Sequence, residues 1–246
     1  MFNNGLLEIS SPVFWRDLMK IIARIRNDYT EKFGVPRQSG LVQEVISEII
    51  FEKAYRVPEA FRGIGEFSHL WLIWGFDRAE RDTWSPTVRP PRLGGNKRMG
   101  VFATRSPFRP NAVGLSCVRL LSVHEDKENG TVLTVAGADM MNGTPIYDIK
   151  PYLPYTDSHP EATGGFTDRT EKRRVEVVIP EQIRKTLGER KTEALTAVLR
   201  EDPRPAYQED NDRGYGFLFG GFNIRFSVCD GILTVTGISE SNGDGT

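Results

Sequence analysis

The sequence predicts a mainly β protein: a β-barrel or sandwich over residues 1–165, then a small α+β unit over residues 171–240. Three observations carry this. Short apolar runs with period-two alternation recur through the first part, separated by Gly, Pro and Asn clusters and not by long helices. The clearest helical spacing, Ile183, Leu187, Leu195, Val198 and Leu199, comes only after Pro180. At 246 residues the chain is long enough for one large or two modest domains with a real core.

Residues 1–15 read as a loose lead-in. From Leu18 to Ile25 alternate residues are apolar on one side and partly polar on the other, as in a half-wet strand. Asn27 to Gly40 is a loop broken by Gly34 and Pro36, and it ends in Val35-Pro36-Arg37-Gln38-Ser39-Gly40. Residues 41–53 have a spacing that fits helix or strand; the β-branched Val45, Ile46, Ile49 and Ile50 favour strand. Pro58 to Gly65 is a short helix or turn, Phe67 to Phe76 a buried strand, and residues 77–97 a long polar loop. Val101 to Ala103 reads as a strand that resumes from Val113 through Leu121. A turn from Glu125 to Gly130 leads to a strand from Thr131 to Ala138, and Asn142-Gly143 marks another turn. If residues 146–150 are extended, Asp148 and Lys150 share a face with Tyr152, and Pro151 and Pro154 mark an edge or strand end.

The second composition opens with a strand from Arg173 to Ile179, followed by an amphipathic helix that Gly188 weakens in its middle. Asp202-Pro203-Arg204-Pro205-Ala206-Tyr207 is a stiff loop. Phe217, Phe219, Phe222, Ile224, Phe226 and Val228 alternate as strands about Gly220-Gly221, and Leu233 and Val235 belong to a last strand. Residues 241–246 read as a disordered tail.

Charge points to a partner. The net charge is −1, yet no acidic residue lies between Asp82 and Glu125, where Arg89, Arg92, Lys97, Arg98, Arg105, Arg109 and Arg119 gather. Pro107 and Pro110 stiffen the loop bearing Arg105 and Arg109. Positive charge on a rigid loop suits an anionic partner, most simply a nucleic-acid backbone. Other chemistries find no support. Cys117 and Cys229 make no disulfide framework, and Cys117, in an apolar run, reads as buried and inert. His69, His124 and His159 are not at metal-ligand spacing, and no P-loop, Rossmann fingerprint or nucleophile elbow occurs. No membrane-length apolar run or secretory leader is evident, so cytoplasmic residence is expected. Taken singly, the remaining polar residues are ordinary. His69 reads as a hydrogen-bonded core histidine, Asp148 and Lys150 as an ion pair, and Tyr152 as a core aromatic with its hydroxyl at the rim.

Together they are less ordinary. Phe67-Ser68-His69-Leu70-Trp71, the run from Val101 to Asn111 with Gly114-Leu115-Ser116, Asp148-Ile149-Lys150-Pro151-Tyr152, and Pro36-Arg37-Gln38 resemble the TsaA-like family, whose tRNA-modifying members are called TrmO. The resemblance covers residues 18–165, and Asp202-Pro203-Arg204-Pro205-Ala206-Tyr207 resembles the C-terminal domain of longer members, extending it to about residue 240. Ala112 and Asn142 depart from the commonest pattern, both at turns.

The resemblance implies a β-barrel domain over residues 1–168 that binds S-adenosylmethionine outside any Rossmann fold, a small α+β domain over residues 169–240, and a homodimer. The implied substrate is tRNA carrying threonylcarbamoyladenosine at position 37 beside the anticodon, methylated on N6. Carried over by motif, the cofactor contacts are Pro36, Arg37, Gln38, His69, Leu70, Arg105, Leu115, Asp148, Ile149, Lys150 and Pro151. A sulfonium donor needs no metal, and alignment supplies much of the acceleration. The acceptor nitrogen is delocalised into ring and carbonyl, so a base helps: Asp148, or less favourably Tyr152. Arg105 or Arg109 suits the substrate's threonyl carboxylate, with Arg92, Lys97 and Arg98 available to phosphates. The alternatives are a non-catalytic RNA-binding protein, or a methyltransferase for a small molecule or another RNA.

Overall fold

The computed structural model describes residues 19–78, 84–90, 93, 97–170, 174–204 and 213–241. The lead-in 1–15, Leu18, Arg92, Arg173, Pro205-Ala206-Tyr207 and the tail beyond Ser241 lie outside them. The protein is mainly β. Its strands up to Pro151 are β1 (Ala23–Arg26), β2 (Ile46–Phe51), β3 (His69–Gly75), the two-residue β4 (Thr87–Val88) and β5 (Met99–Gly100), β6 (Val113–Asp126), β7 (Gly130–Ala136) and β8 (Pro145–Pro151). Six of these hydrogen-bond antiparallel in the order β1-β2-β7-β6-β3-β8, and β8 returns to β1 with Ile146 opposite Ala23. Each therefore has a neighbour on both sides, which removes the exposed edges that invite aggregation.

Strand alternation sorts the side chains. On β3, Leu70 and Leu72 are fully buried and Trp74 nearly so, while His69, Trp71 and Ile73 face the other way. The inner set joins Ile25, Ile49, Leu133, Val135 and Ile146 in one apolar cluster. Each such side chain contributes roughly 1.5–3 kcal/mol on burial. Gly114, paired with Trp74, makes this packing possible: a Cβ there would collide with the indole.

After the single turn α1 (Pro154–Asp157) come β9 (Glu176–Val178), α2 (Glu181–Leu187), α3 (Glu189–Arg200), β10 (Tyr215–Phe219), β11 (Phe222–Cys229) and β12 (Ile232–Glu240). The sheet order is β10-β11-β12-β9, with β9 parallel to β12. Leu195, Val198 and Leu199 of α3 pack with Phe217, Phe219, Ile224 and Phe226. This second core also takes Tyr29, Val42 and Val45 from the β1–β2 connection. Tyr29 bridges to Phe219, Gly220 N–H donates to Asp28 O (3.1 Å), and Thr30 Oγ1 donates to Leu218 O (3.2 Å).

Several expectations need correction. Val101–Ala103 is a 3₁₀ turn, not a strand; only Met99–Gly100 before it is extended. The Thr104 side chain and N–H both bond Val101 O (2.9 and 3.1 Å), closing the turn locally. The first strand begins at Ala23, although Ile22 still donates to Ile146 O (2.9 Å). β6 continues past Leu121 to Asp126, because Asp126 Oδ1 takes the N–H groups of Glu128 and Asn129 and confines the turn. The single helix divides at Gly188, whose φ of +75° is costly for any other residue. Cys117 is half-buried on the outward face of β6, and His69 is half-buried on that of β3; neither is a core residue.

Candidate active site

β3 stands between β6 and β8, and its register sets the site. Ile73 lies opposite Leu115 on one side and Asp148 on the other; Trp71 lies opposite Cys117 and Lys150. Residues opposite one another share a face, so Leu115, Ile73 and Asp148 form one row across three strands, a span of roughly 10 Å. Cys117, Trp71 and Lys150 form the next row. Tyr152 extends the face: its N–H bonds His69 O (3.0 Å), and its ring lies 6.1 Å from the imidazole and 5.7 Å from the Trp71 ring. Trp71 is fixed by Asp157, which accepts its Nε1–H and the Leu153 N–H, both at 2.9 Å. These bonds, the backbone one first, hold the Asp157 carboxyl below its usual pKa.

The expected Asp148–Lys150 ion pair is present at 2.9 Å, with both side chains about half exposed. Asp148 Oδ1 also accepts the N–H of Ile149 (2.9 Å). Its residue borders a cavity of about 280 Å³ walled by Phe51, Tyr55, Phe61, Ile64 and Ile149.

The loop carrying Pro36, Arg37 and Gln38 lies along β6. β7 pairs with β6 only from Arg119 onward, so the edge before it meets loops instead. Ser39 Oγ takes the Cys117 N–H (3.2 Å), and Gly40 N–H bonds Gly137 O (2.8 Å). Arg105 Nη1 donates to Gln38 Oε1 at 2.6 Å, joining the basic loop to this one. Arg37 Nη2 donates to Arg204 O (3.1 Å), and Arg204 is held bidentately by buried Asp202 at 2.8 and 2.9 Å.

The fold thus gathers Gln38 with Arg105, and His69, Leu115, Asp148, Lys150 and Tyr152 on one three-strand face. Pro36 is buried, and Leu70 points into the core with no exposed surface, so Leu70 can offer a ligand only its backbone. Ile149, opposite Leu72, packs against the same core, while Pro151 is exposed. Arg109 donates to Thr104 O (3.4 Å) within its own loop. Lys97 and Arg98 are exposed beside β4 and β5, and Arg92 lies outside the described residues.

Sequence reasoning missed Trp71, at the centre of the face, and Asp139. The Asp139 carboxylate accepts the Ser116 hydroxyl, which in turn accepts Trp74 Nε1–H (2.9 Å). Burial pushes its pKa up, against the Ser116 bond, the facing Arg105 charge and the Ser39 N–H, which favour ionisation. Nothing but an aspartate between Ala138 and Met140 signalled it. A carboxyl raised on folding stabilises the fold below its unfolded pKa and loses that contribution as pH rises through the folded value. Measured against Asp139→Asn, the wild-type melting temperature should therefore fall progressively as pH is raised from the ordinary aspartate value of about 4. A constant difference as pH rises would refute the assignment.

S-adenosylmethionine combines a sulfonium cation, an amino acid and an adenosine. The face offers a carboxylate at Asp148 and an apolar Leu115 that is 54% exposed near the start of β6, and the loops beside it offer a guanidinium and an amide at Arg105 and Gln38. These residues fit that group. Among the described residues no His, Cys, Asp and Glu cluster could hold a metal ion, and no helix is long and apolar enough to cross a membrane.

The tRNA-methyltransferase O N-terminal domain model matches residues 24–158, and the TrmO C-terminal domain model matches residues 172–241. The chain is 42% identical over 217 residues to the tRNA (adenine(37)-N6)-methyltransferase of Escherichia coli K12, covering 85% of this chain and 92% of that one. It is 39% identical over 213 residues to a Pseudomonas aeruginosa protein named for S-adenosylmethionine-dependent methyl transfer, covering 83% and 90%. A crystal structure of TrmO from Pseudomonas aeruginosa superposes with a TM-score of 0.70 at 28% identity, over 90% of this chain and 98% of that one.

Proposed function

The chain belongs to the tRNA-methyltransferase O family, and from that premise we propose how its residues divide the work. The protein is an S-adenosylmethionine-dependent tRNA adenine-N6 methyltransferase, and in this proposal its acceptor is threonylcarbamoyladenosine at position 37. Within this reading the six-strand ring is the TsaA-like β-barrel over residues 1–168, and residues 169–240 form an α+β domain. Assembly as a homodimer and cytoplasmic residence belong to the same reading. The observation that carries it is the Arg105–Gln38 hydrogen bond, which fastens the basic loop to the 36–40 loop beside the three-strand face.

The bound cofactor supplies an electrophilic methyl group. Gln38, Arg105 and Leu115, with backbone groups of Leu70 and Ile149 to Pro151, hold and orient it against the face. Asp148 takes the proton from N6: Lys150 and the Ile149 N–H steady its two oxygens, and lone pairs remain to accept. Tyr152, above His69 and Trp71, borders the acceptor. Arg105 or Arg109 holds the threonyl carboxylate, and Lys97 and Arg98 meet phosphates.

Transfer of labelled methyl from S-adenosylmethionine to bulk tRNA, with and without the threonylcarbamoyl group, tests this directly. Label is expected in N6-methylated threonylcarbamoyladenosine and only after prior modification. Cofactor binding without such label would replace the reading with a methyltransferase for another substrate.

A further inference from the structure

Trp84 and Phe102 are both exposed, 51% and 74%, with ring centroids 6.2 Å apart and planes inclined by 32°. Aromatic rings of this size are ordinarily highly buried. Here two lie side by side at the surface, within the interval from residue 83 to residue 124 that contains no acidic side chain.

The backbone under them is braced. Val101 N–H bonds Pro86 O (2.9 Å), and β4 pairs with β5 one residue beyond, Thr87 opposite Gly100. Arg98 Nη1 donates to Thr87 Oγ1 (2.9 Å), which keeps a cation on the same hairpin. Towards the site, Thr104 closes the turn onto Val101 and Ser106 N–H bonds Thr104 Oγ1 (3.3 Å). Phe102 therefore stands three residues before Arg105, at most roughly 11 Å along extended chain. Arg105 in turn is bonded to Gln38.

We propose that Trp84 and Phe102 form a stacking platform for an unpaired base of the RNA substrate, next to the nucleoside that is methylated. This rests on the functional reading above and extends it to residues that reading leaves unused. Aromatic faces take any base, and flanking cations track the phosphates on either side. Anticodon-loop bases are unpaired and can be splayed onto such rings. The surroundings disfavour a protein partner: the patch is two rings wide and the β4–β5 hairpin next to it carries the exposed cations Arg89 and Arg98, whereas the core of a protein interface is depleted of charge.

Trp84→Ala and Phe102→Ala, with Trp84→Phe and Phe102→Tyr as conservative partners, test it in the full chain. Binding of a fluorescein-labelled anticodon stem-loop is read by anisotropy, alongside methyl transfer to modified tRNA, cofactor binding by calorimetry and mass by light scattering. Each alanine should weaken RNA binding and raise the tRNA KM about tenfold, the size of one stacking contact, with cofactor affinity and mass unchanged. The conservative variants should stay within about threefold, because they keep a π-face. Unchanged RNA affinity in the alanine variants overturns the platform; a changed mass beside it would assign the pair to a contact between copies of the chain. Equal losses in the conservative variants overturn it too, as a structural effect. RNA binding by the wild type without methyl transfer would remove the enzymatic reading while affinity still judges the platform.

Discussion

Asp148→Asn is expected to lower the single-turnover rate of methyl transfer at saturating cofactor by at least about a hundredfold, the usual size of a general-base contribution. The substitution conserves shape. An asparagine oxygen can still accept the Ile149 N–H that Asp148 Oδ1 accepts now, so the strand end stays formed. Lys150 loses its partner, but both side chains are about half exposed, and exposed ion pairs contribute only about 0–1 kcal/mol. What disappears is an oxygen able to take a proton from a nitrogen whose lone pair is delocalised. Lys150→Ala separates the two effects: it breaks the ion pair and leaves the carboxylate, so it should cost far less rate. Tyr152→Phe serves as the competing test, because the phenol borders the same face beside His69 and Trp71. Full-rate transfer by Asp148→Asn with collapse in Tyr152→Phe would move the base to Tyr152.

Where local pattern and tertiary pairing agree, the sequence was readable. The alternation in Phe67–Phe76 became β3, and the β-branched run over 41–53 became β2, because each strand has one face against an apolar core. Residues 101–103 misled because three apolar residues carry no information about whether a partner strand exists; Thr104 offers Val101 O two local donors, its hydroxyl and its N–H. Gly188 was visible as a weak point, but only its left-handed backbone makes the break complete. The motif residues were legible as a set through resemblance. Their physical grouping was not, since it depends on β3 standing between β6 and β8 and on β7 leaving the edge of β6 at Arg119. Asp139 was silent for the same reason: its partners Ser116 and Arg105 lie far away in sequence.

The deepest feature hidden from the sequence is Tyr29, which looked like part of a polar loop, and it carries the largest stability prediction. Tyr29→Ala should cost about 3–5 kcal/mol in urea unfolding, as deletion of a buried aromatic does. The ring is 1% exposed and meets Phe219 edge-on at 6.0 Å in the second core. Its backbone faces the ring of six strands: Tyr29 O accepts the N–H of Asn142 (2.7 Å), beside β8. One residue thus ties both cores together, and the 36–40 loop follows directly in the same connection. Its hydroxyl makes the complementary prediction. It is buried with no hydrogen-bond partner among the described residues, and burial, then the nearby Asp139, Glu44 and Asp28 charges, push its pKa far above the ordinary phenol range. An unsatisfied buried hydroxyl costs about 1–3 kcal/mol, so Tyr29→Phe should be neutral or stabilising. Loss in Tyr29→Ala should also weaken cofactor binding, because Arg37 and Gln38 lose the anchorage of their loop to the second core. A Tyr29→Phe variant as unstable as Tyr29→Ala would show that the hydroxyl, not the ring, is the joint; equal stability of all three proteins would show that the two cores are not joined through this residue.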